Sequence, residues 1–219
     1  MKTKLIILFA LLMCFSASAM ATPTIEFSPD SSLGGNWNYN GAGTLSFDQK
    51  ITVDNGMSSN ADALVGSLVY IPTFYIGGIP DGPYNITPLG SPTISIKNSD
   101  GSATYMTGTL NAGNLVTIGT IGAAYTQFQA DIYDIVVTAA GQSLGSAALD
   151  SIVKSGTATL DFELSLNGGA GTNYYSFTEM LAGGYSGGNG FSGAMTIPEP
   201  ATLALLGLGS IALLRRRRA

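Results

Sequence analysis

Two acidic residues two positions apart are the first residues of this sequence whose spacing suggests chemistry. Asp161 and Glu163 lie in an alternating segment, so both point to one face of a predicted strand, with roughly 7 Å between their Cα atoms. Paired carboxylates can act as acid and base in glycoside hydrolysis. We favour a solvated strand face as the explanation of the pair, because the sequence places no other residues that would support the two carboxylates. Asp131 and Asp134 are three apart and are predicted to point to opposite faces, which argues against a shared site.

Oxygen-bearing side chains at predicted turns form a second candidate, a calcium site. They are Asp54, Asn55, Asp81, Asn98 and Asp100. No loop follows the Asp-x-Asp-x-Asp-Gly pattern with a distant Glu, and Asp and Asn are ordinary turn residues. We therefore predict no metal ligands and no cofactor, with Ca²⁺ as the alternative.

Aromatic side chains that could stack on sugar rings form a third candidate. Trp37 and Tyr39 share one face of a predicted strand, and asparagines at 36, 38 and 40 alternate to the other face. This pattern makes Trp37 and Tyr39 candidates for glycan binding. We favour the other interpretation, in which the segment is an edge strand that closes the sandwich.

Composition excludes several classes of function. The chain has no His, which removes the commonest general base and the commonest metal ligand. Its only cysteine, Cys14, lies in the N-terminal apolar run; lipidation there is an alternative that Met13 and Phe15 disfavour. Between residues 22 and 200, three lysines face all fourteen acidic residues, a balance of −11. So acidic a body has no electrostatic footprint for nucleic acid, and neutral polymers or Ca²⁺ are better partners.

The elements that position these residues have a period of two. Thr44 to Val53 alternates cleanly, and Thr157 to Leu166 repeats the pattern. Further predicted strands are Leu64–Ile76, Thr93–Lys97, Ala103–Leu110, Asn114–Ile118, Tyr125–Thr138 and Asn173–Thr178. Eight or more short strands separated by turns predict an all-β antiparallel sandwich or jelly roll. One short helix is predicted over Ser146–Lys154, with Ser146 as its cap and Gly156 just beyond its end.

The N-terminal segment has the features of a secretion signal, predicted as a helix over residues 1–21. Its parts are a basic start at Lys2 and Lys4, an apolar run from Leu5 to Phe15, and a cleavage pattern of Ala19, Met20 and Ala21. We predict cleavage after Ala21.

The C-terminal segment combines three features in order. They are Pro198-Glu199-Pro200, an uncharged segment over 201–214 that predicts a hydrophobic helix, and the cluster Arg215, Arg216, Arg217 and Arg218. The prolines keep the peptide extended around Glu199 and allow a helix to begin just after. The helix would measure about 21 Å, short of a hydrocarbon core of roughly 30 Å. The arginines stop transfer and keep their end cytoplasmic.

These three features resemble a PEP-CTERM sorting signal. The resemblance implies an exosortase, a membrane-embedded processing enzyme that removes the tail during export, and a Gram-negative host with an exopolysaccharide matrix. The resemblance covers about the last 22 residues, so it predicts where the protein is sent and predicts no activity. A plain C-terminal membrane anchor is the alternative.

The domain organisation predicted from these features has four parts. They are a signal peptide (1–21), a β-sandwich domain (22–181), a Gly-rich flexible linker (182–197) and the sorting tail (198–219). We expect a noncatalytic surface or biofilm-matrix protein associated with exopolysaccharide. It would use the export machinery, enter the inner membrane transiently through its C-terminal helix, and bind no nucleic acid. A carbohydrate-binding module is the alternative, and a glycan-active enzyme is the third hypothesis.

Overall fold

The computed structural model describes residues 23–29, 37–48, 50–57, 59–77, 84–117, 125–156, 159–167 and 186–197. All of them belong to one unit, Pro23–Ile197. The predicted signal peptide with Ala19 and Ala21, and the predicted tail from Pro198 to Arg218 with its helix, lie outside the described residues.

The described residues form fourteen strands and two helices. The strands are β1 (Pro23–Pro29), β2 (Trp37–Asn40), β3 (Thr44–Phe47), β4 (Ile51–Gly56), β5 (Leu68–Tyr70), β6 (Phe74–Gly77), β7 (Tyr84–Pro88), β8 (Thr93–Lys97), β9 (Thr104–Leu110), β10 (Gly113–Thr117), β11 (Tyr125–Val137), β12 (Thr159–Asn167), β13 (Ser186–Asn189) and β14 (Phe191–Thr196). The helices are α1 (Ala139–Gln142) and α2 (Ala147–Ser155).

Eight of these strands close into a barrel-like ring. Their order is β12-β14-β1-β4-β5-β8-β9-β11, and β11 pairs back onto β12. Every pairing is antiparallel. We call these eight strands the ring. Closure leaves no unpaired edge within the ring, which is how all-β domains avoid edge-to-edge association.

The other six strands continue the same sheet away from β11. Their order is β10-β7-β6-β3-β2-β13, again with antiparallel pairing throughout. We call them the extension. The branch is possible because β11 is thirteen residues long: Thr126–Gln129 pairs with β10, whereas Ile132–Val137 pairs with β9.

The all-β antiparallel prediction is confirmed. The described strands do not divide into the two separate sheets of a sandwich or jelly roll, since they form one continuous sheet that closes over eight strands. Alternation of apolar and polar residues shows which face of a strand is buried. A strand has the same buried face in a sandwich and in a closed sheet, so alternation does not distinguish the two architectures.

One aromatic core joins the ring to the extension. A continuous series of aromatic contacts runs through six phenylalanine side chains, in the order Phe27, Phe162, Phe128, Phe74, Phe47 and Phe191. Two edge-to-face contacts link the two parts, Phe74 in β6 with Phe128 in β11 and Phe47 in β3 with Phe191 in β14, and in each the centroids are 5.1 Å apart. Such pairs stabilise a core beyond the area they bury.

The predicted helix is confirmed as α2. The Ser146 side chain accepts a hydrogen bond from Leu149 N, and Gly156 closes the helix with φ of 59°. Asp62 adds a second cap by accepting from Ala148 N at 3.2 Å. The single-helix prediction missed α1, a one-turn helix capped by Thr138.

The strand predictions differ in how well their bounds match the structure. β8 matches its predicted bounds, whereas the segment predicted as one strand over Thr44–Val53 forms β3 in the extension and β4 in the ring. The predicted strand over Leu64–Ile76 holds β5 and most of β6. The predicted strand over Asn173–Thr178 lies outside the described residues.

The prediction of a flexible linker over 182–197 is wrong for residues 186–197, so the domain does not end at 181. β14 is one of the strands of the ring, where it pairs with β1 and β12, and both Phe191 and Met195 are buried. The glycine content reflects packing here. A Cβ on Gly193 would collide with the ring of Phe27 and with Leu164.

Candidate functional site

The predicted sugar-stacking aromatics belong to the core. Trp37 is 0% exposed and Tyr39 is 3% exposed, so neither ring can present a face to a ligand. The prediction that they share a strand face is confirmed, but that face is the inward one. The prediction of a glycan site at Trp37 and Tyr39 is therefore wrong. Their strand is not an edge of the sheet either, because β2 pairs with both β3 and β13.

The asparagines of β2 occupy the outward face instead. Asn38 and Asn40 are exposed, and the Asn40 Oδ1 accepts hydrogen bonds from Ala42 N and Thr44 N, which shapes the turn into β3. Within that turn Gly43 has φ of 94°, a conformation that glycine adopts without strain. The buried Tyr39 fixes this residue, because Gly43 N donates to the Tyr39 hydroxyl at 3.1 Å.

An exposed aromatic that the sequence analysis did not select lies directly above this turn. Tyr75 in β6 is 48% exposed. A Cβ on Gly43 would lie 2.8 Å from its Cε2, and a Cβ on Gly77 would lie 3.2 Å from its Cε1. Opposite edges of the Tyr75 phenol therefore lie close to the backbone at two glycines, and the phenol lies along the sheet. The signal in the sequence is an aromatic residue at the polar phase of an alternating segment, between the buried Phe74 and Ile76.

The side chains around Tyr75 are polar and neutral. Its register neighbours are Thr44 in β3 and Thr87 in β7. Asn85, two residues before Thr87, is exposed, and Ser46 is half-buried opposite Asn38. No charged residue occurs in any of the six described strands of the extension.

The outward surface of the ring differs, because it contains an acidic groove of about 340 Å³. It is lined by Glu26, Phe27, Asp54, Asn55, Glu163, Ser192, Gly193 and Ala194. Glu26 and Glu163 lie on either side of Ala194 in the register. The Asn55 Nδ2 donates to the Glu26 Oε2 at 2.7 Å. The structure therefore pairs Glu163 with Glu26 across β14.

Asp161, the other predicted carboxylate, faces a different neighbour. It is exposed and lies directly opposite Asp131 in the register of β11 and β12. Partial burial raises the pKa of Asp161, and the negative charge of Asp131 raises it further. Asp134 is exposed and lies where the register of β11 shifts, with φ of 51°.

The turn residues considered for calcium do not converge. Asp54 and Asn55 line the groove, whereas Asn98 and Asp100 close the turn after β8 and Asp81 lies outside the described residues. Hydrogen bonds from Ser102 to its carboxylate lower the pKa of Asp100. In the described ranges, no three His, Cys, Asp or Glu side chains are grouped so that they could hold a metal ion.

The described domain continues without a spacer into the predicted sorting tail. β14 ends at Thr196, and Ile197 packs against the core. Ile197 N donates to the Thr24 Oγ1 at 3.3 Å, which ties the last described residue to β1. Pro198 is the next residue of the chain. Among the described residues, no helix has the length and apolar character needed to cross a membrane.

Comparison with known proteins identifies this end of the chain. The family model of the PEP-CTERM protein-sorting motif matches residues 196–218, which contain Pro198, Glu199, Pro200 and the four arginines. No curated protein matches the chain, and no solved structure matches it either. The chain is thus a PEP-CTERM domain-containing protein, and the motif implies export and membrane-associated processing by an exosortase.

Proposed function

We propose that the protein is a noncatalytic surface or extracellular-matrix protein, retained with exopolysaccharide after its tail is processed. The observation that carries the proposal is the position of the matched motif, which begins at Thr196, where the last strand of the ring ends. Cleavage at or after Pro198 would remove none of the described strands. The ring would therefore keep its core after processing.

Composition supports the noncatalytic part of the proposal. The sequence has no His, and its only cysteine lies in the predicted signal peptide. The acidic body favours a neutral polymer over an anionic one as the matrix component, since like charges repel.

The intact mass of the protein recovered from the cell surface tests the processing step. We expect a chain that begins at Thr22 and ends between Pro198 and Pro200. Replacing Pro198, Glu199 and Pro200 by alanine should leave the arginines on the recovered protein. A surface form that retains Arg218 without any substitution would contradict processing and would favour a plain membrane anchor.

The groove of the ring favours one second candidate, an enzyme acting on glycans. Glu26 and Glu163 are separated by two strand spacings, roughly 9.6 Å between their backbones. Glycoside hydrolases use two carboxyl groups that flank the scissile bond, and Glu26 and Glu163 line one groove. Turnover of a polysaccharide panel that Glu163→Gln and Glu26→Gln both abolish, at unchanged stability, would replace the noncatalytic proposal. The neighbouring change Asp161→Asn is the matched control.

A further inference from the structure

We propose that the outward face of the extension binds a neutral polysaccharide chain, with Tyr75 as its stacking platform. The inference rests on the proposed retention with exopolysaccharide and names the class of ligand. Its starting point is Tyr75, an aromatic side chain that is nearly half exposed among the amide and hydroxyl groups of Asn40, Thr44, Asn85 and Thr87.

The platform is held in place from below. Gly43 and Gly77 lack the Cβ atoms that would lift the edges of the Tyr75 ring, and the Tyr39 hydroxyl holds Gly43 by a hydrogen bond of 3.1 Å. A ring fixed in this way loses little conformational entropy when a ligand stacks on it. The apolar face of a sugar ring is a suitable partner for such a surface.

The residues beside the platform supply hydrogen-bonding groups in a row. Asn40 and Thr44 lie on one side of Tyr75, and Thr87 lies on the other. Four strands at roughly 4.8 Å spacing give this row a length of about 14 Å. The threonine hydroxyls both donate and accept, and the Asn40 Nδ2 is a donor, whereas the Asn40 Oδ1 already accepts from Ala42 N and Thr44 N. Such groups suit the hydroxyl groups of an extended glycan.

The charge distribution selects a neutral glycan over an acidic one. The strands of the extension carry no charged residue, whereas the strands of the ring carry six acidic residues and one lysine. That lysine, Lys97, lies over the ring of Tyr70, with its Nζ 4.6 Å from the centroid. An anionic polymer would find no cation on the extension and would be repelled by the ring.

A second copy of this chain is a poorer occupant than a glycan. Among the side chains that the structure describes here, the large apolar ones that are exposed are Tyr75 and Leu89, which is 45% exposed two residues beyond Thr87. Stable protein interfaces bury roughly 1,200 Å² or more around an apolar centre. Two separate side chains among amides and hydroxyls do not provide such a centre.

Affinity electrophoresis of the protein purified from cells expressing the full chain tests the inference. Gels would contain hydroxyethylcellulose, mannan or dextran as neutral probes, and alginate as the anionic probe. We expect retardation by at least one neutral probe and none by alginate. Tyr75→Ala should weaken binding by about tenfold or more, as truncation of a central aromatic contact does, whereas Tyr75→Phe should retain most of it.

Two further variants separate stacking from a general loss of structure. Tyr133→Ala is the matched control, because Tyr133 is a 38% exposed tyrosine on a ring strand. It should leave binding unchanged. Gly77→Ala should weaken binding without deleting the aromatic ring, since its Cβ would press on the Tyr75 ring edge. The thermal midpoint of each variant would be measured alongside.

Several outcomes would overturn the inference. They are binding to no neutral probe, stronger binding to alginate, equal losses in the Tyr75 and Tyr133 variants, and a Tyr75-dependent dimer in sedimentation. These readouts use purified protein, so they are independent of processing. Neutral-glycan binding by a protein that keeps Arg218 would contradict the proposed function alone, and a processed protein that binds no neutral probe would contradict this inference alone.

Discussion

The ring and the extension are parts of one continuous sheet, yet their strands differ in charge. The ring strands carry Glu26, Asp54, Asp131, Asp134, Asp161 and Glu163, and together they enclose most of the core. The extension strands carry no charged residue, and among their described side chains the outward face presents the amides of Asn38, Asn40 and Asn85, the hydroxyls of Thr44, Ser46 and Thr87, and the exposed Tyr75.

This difference assigns separate roles to the two parts. The acidic residues of the ring repel anionic polymers, since like charges repel. A neutral face has no such repulsion and can approach a neutral polymer closely. The shared phenylalanine core then holds the binding face to a rigid body, which lowers the entropy lost on binding.

Removal of β14 should have the largest effect on the ring. A chain that ends at Gly190 loses the strand between β1 and β12, and with it the buried Phe191 and Met195. We expect this chain not to fold, because two ring edges and the core beneath them become exposed. Circular dichroism and proteolysis would measure the loss.

The matched truncation ends at Ile197 and removes only the tail. It should fold as the longer chain does, because it keeps all the described strands. Cooperative folding of the chain that ends at Gly190 would restore the flexible-linker interpretation.

Deletion of one aromatic side chain should show that the ring and the extension unfold together. Phe162→Ala in the ring and Phe74→Ala in the extension should each lower the free energy of unfolding by about 3–5 kcal/mol. Both residues contact Phe128, so each loss should appear in one cooperative transition. Urea titrations followed by fluorescence and circular dichroism would check this. Two separate transitions in either variant would mean that the extension folds independently.

Local signals in the sequence predicted local structure well. The cap at Ser146 and the stop at Gly156 located α2, and the turn at Asp100 followed the strand predicted as β8. Strand partners are a different matter, because pairing joins residues far apart in the chain. Leu45 and Val53 keep the same alternating phase although they belong to the extension and to the ring, so alternation could not reveal the break between them.

The candidate sites show the same limit. Alternation placed Trp37 and Tyr39 on one face correctly, but it does not say which face meets the core. Glycine content suggested flexibility before Pro198, where Gly193 in fact makes room for the ring of Phe27. The position of the Tyr75 side chain depends on the space left by Gly43, which is 32 residues away in the sequence.

A single methyl group should separate backbone strain from displacement of the platform. Gly43→Ala and Gly90→Ala both place alanine at a positive φ, which costs about 1–2 kcal/mol in either case. Only the Cβ at Gly43 also meets the Tyr75 ring, because nothing lies within 4 Å of a Cβ at Gly90. We expect similar losses of stability and a loss of glycan binding in Gly43→Ala alone. Equal binding by the two variants would show that glycan binding does not depend on the position of the Tyr75 side chain.

Neutralising Asp161 should give the smallest effect and should concern the ring alone. Since the folded-state pKa of Asp161 is raised, the folded state holds the proton more tightly than the unfolded state does. Stability therefore falls as the pH rises from the ordinary carboxyl range through the raised folded value. Asp161→Asn should remove this fall and add a few tenths of a kcal/mol at pH 7, at the low end of the roughly 0.2–1 kcal/mol typical of cross-strand pairs.

Urea titrations at several pH values would measure the effect, with Asp134→Asn as the control on the same sheet. Asp134 lies at the register shift of β11, outside the direct pairing with Asp161. A larger gain from Asp134→Asn, or a loss from Asp161→Asn, would contradict repulsion between Asp131 and Asp161. Neutral-glycan binding should stay unchanged in both variants, because the acidic face of the ring takes no part in the contact proposed for the extension.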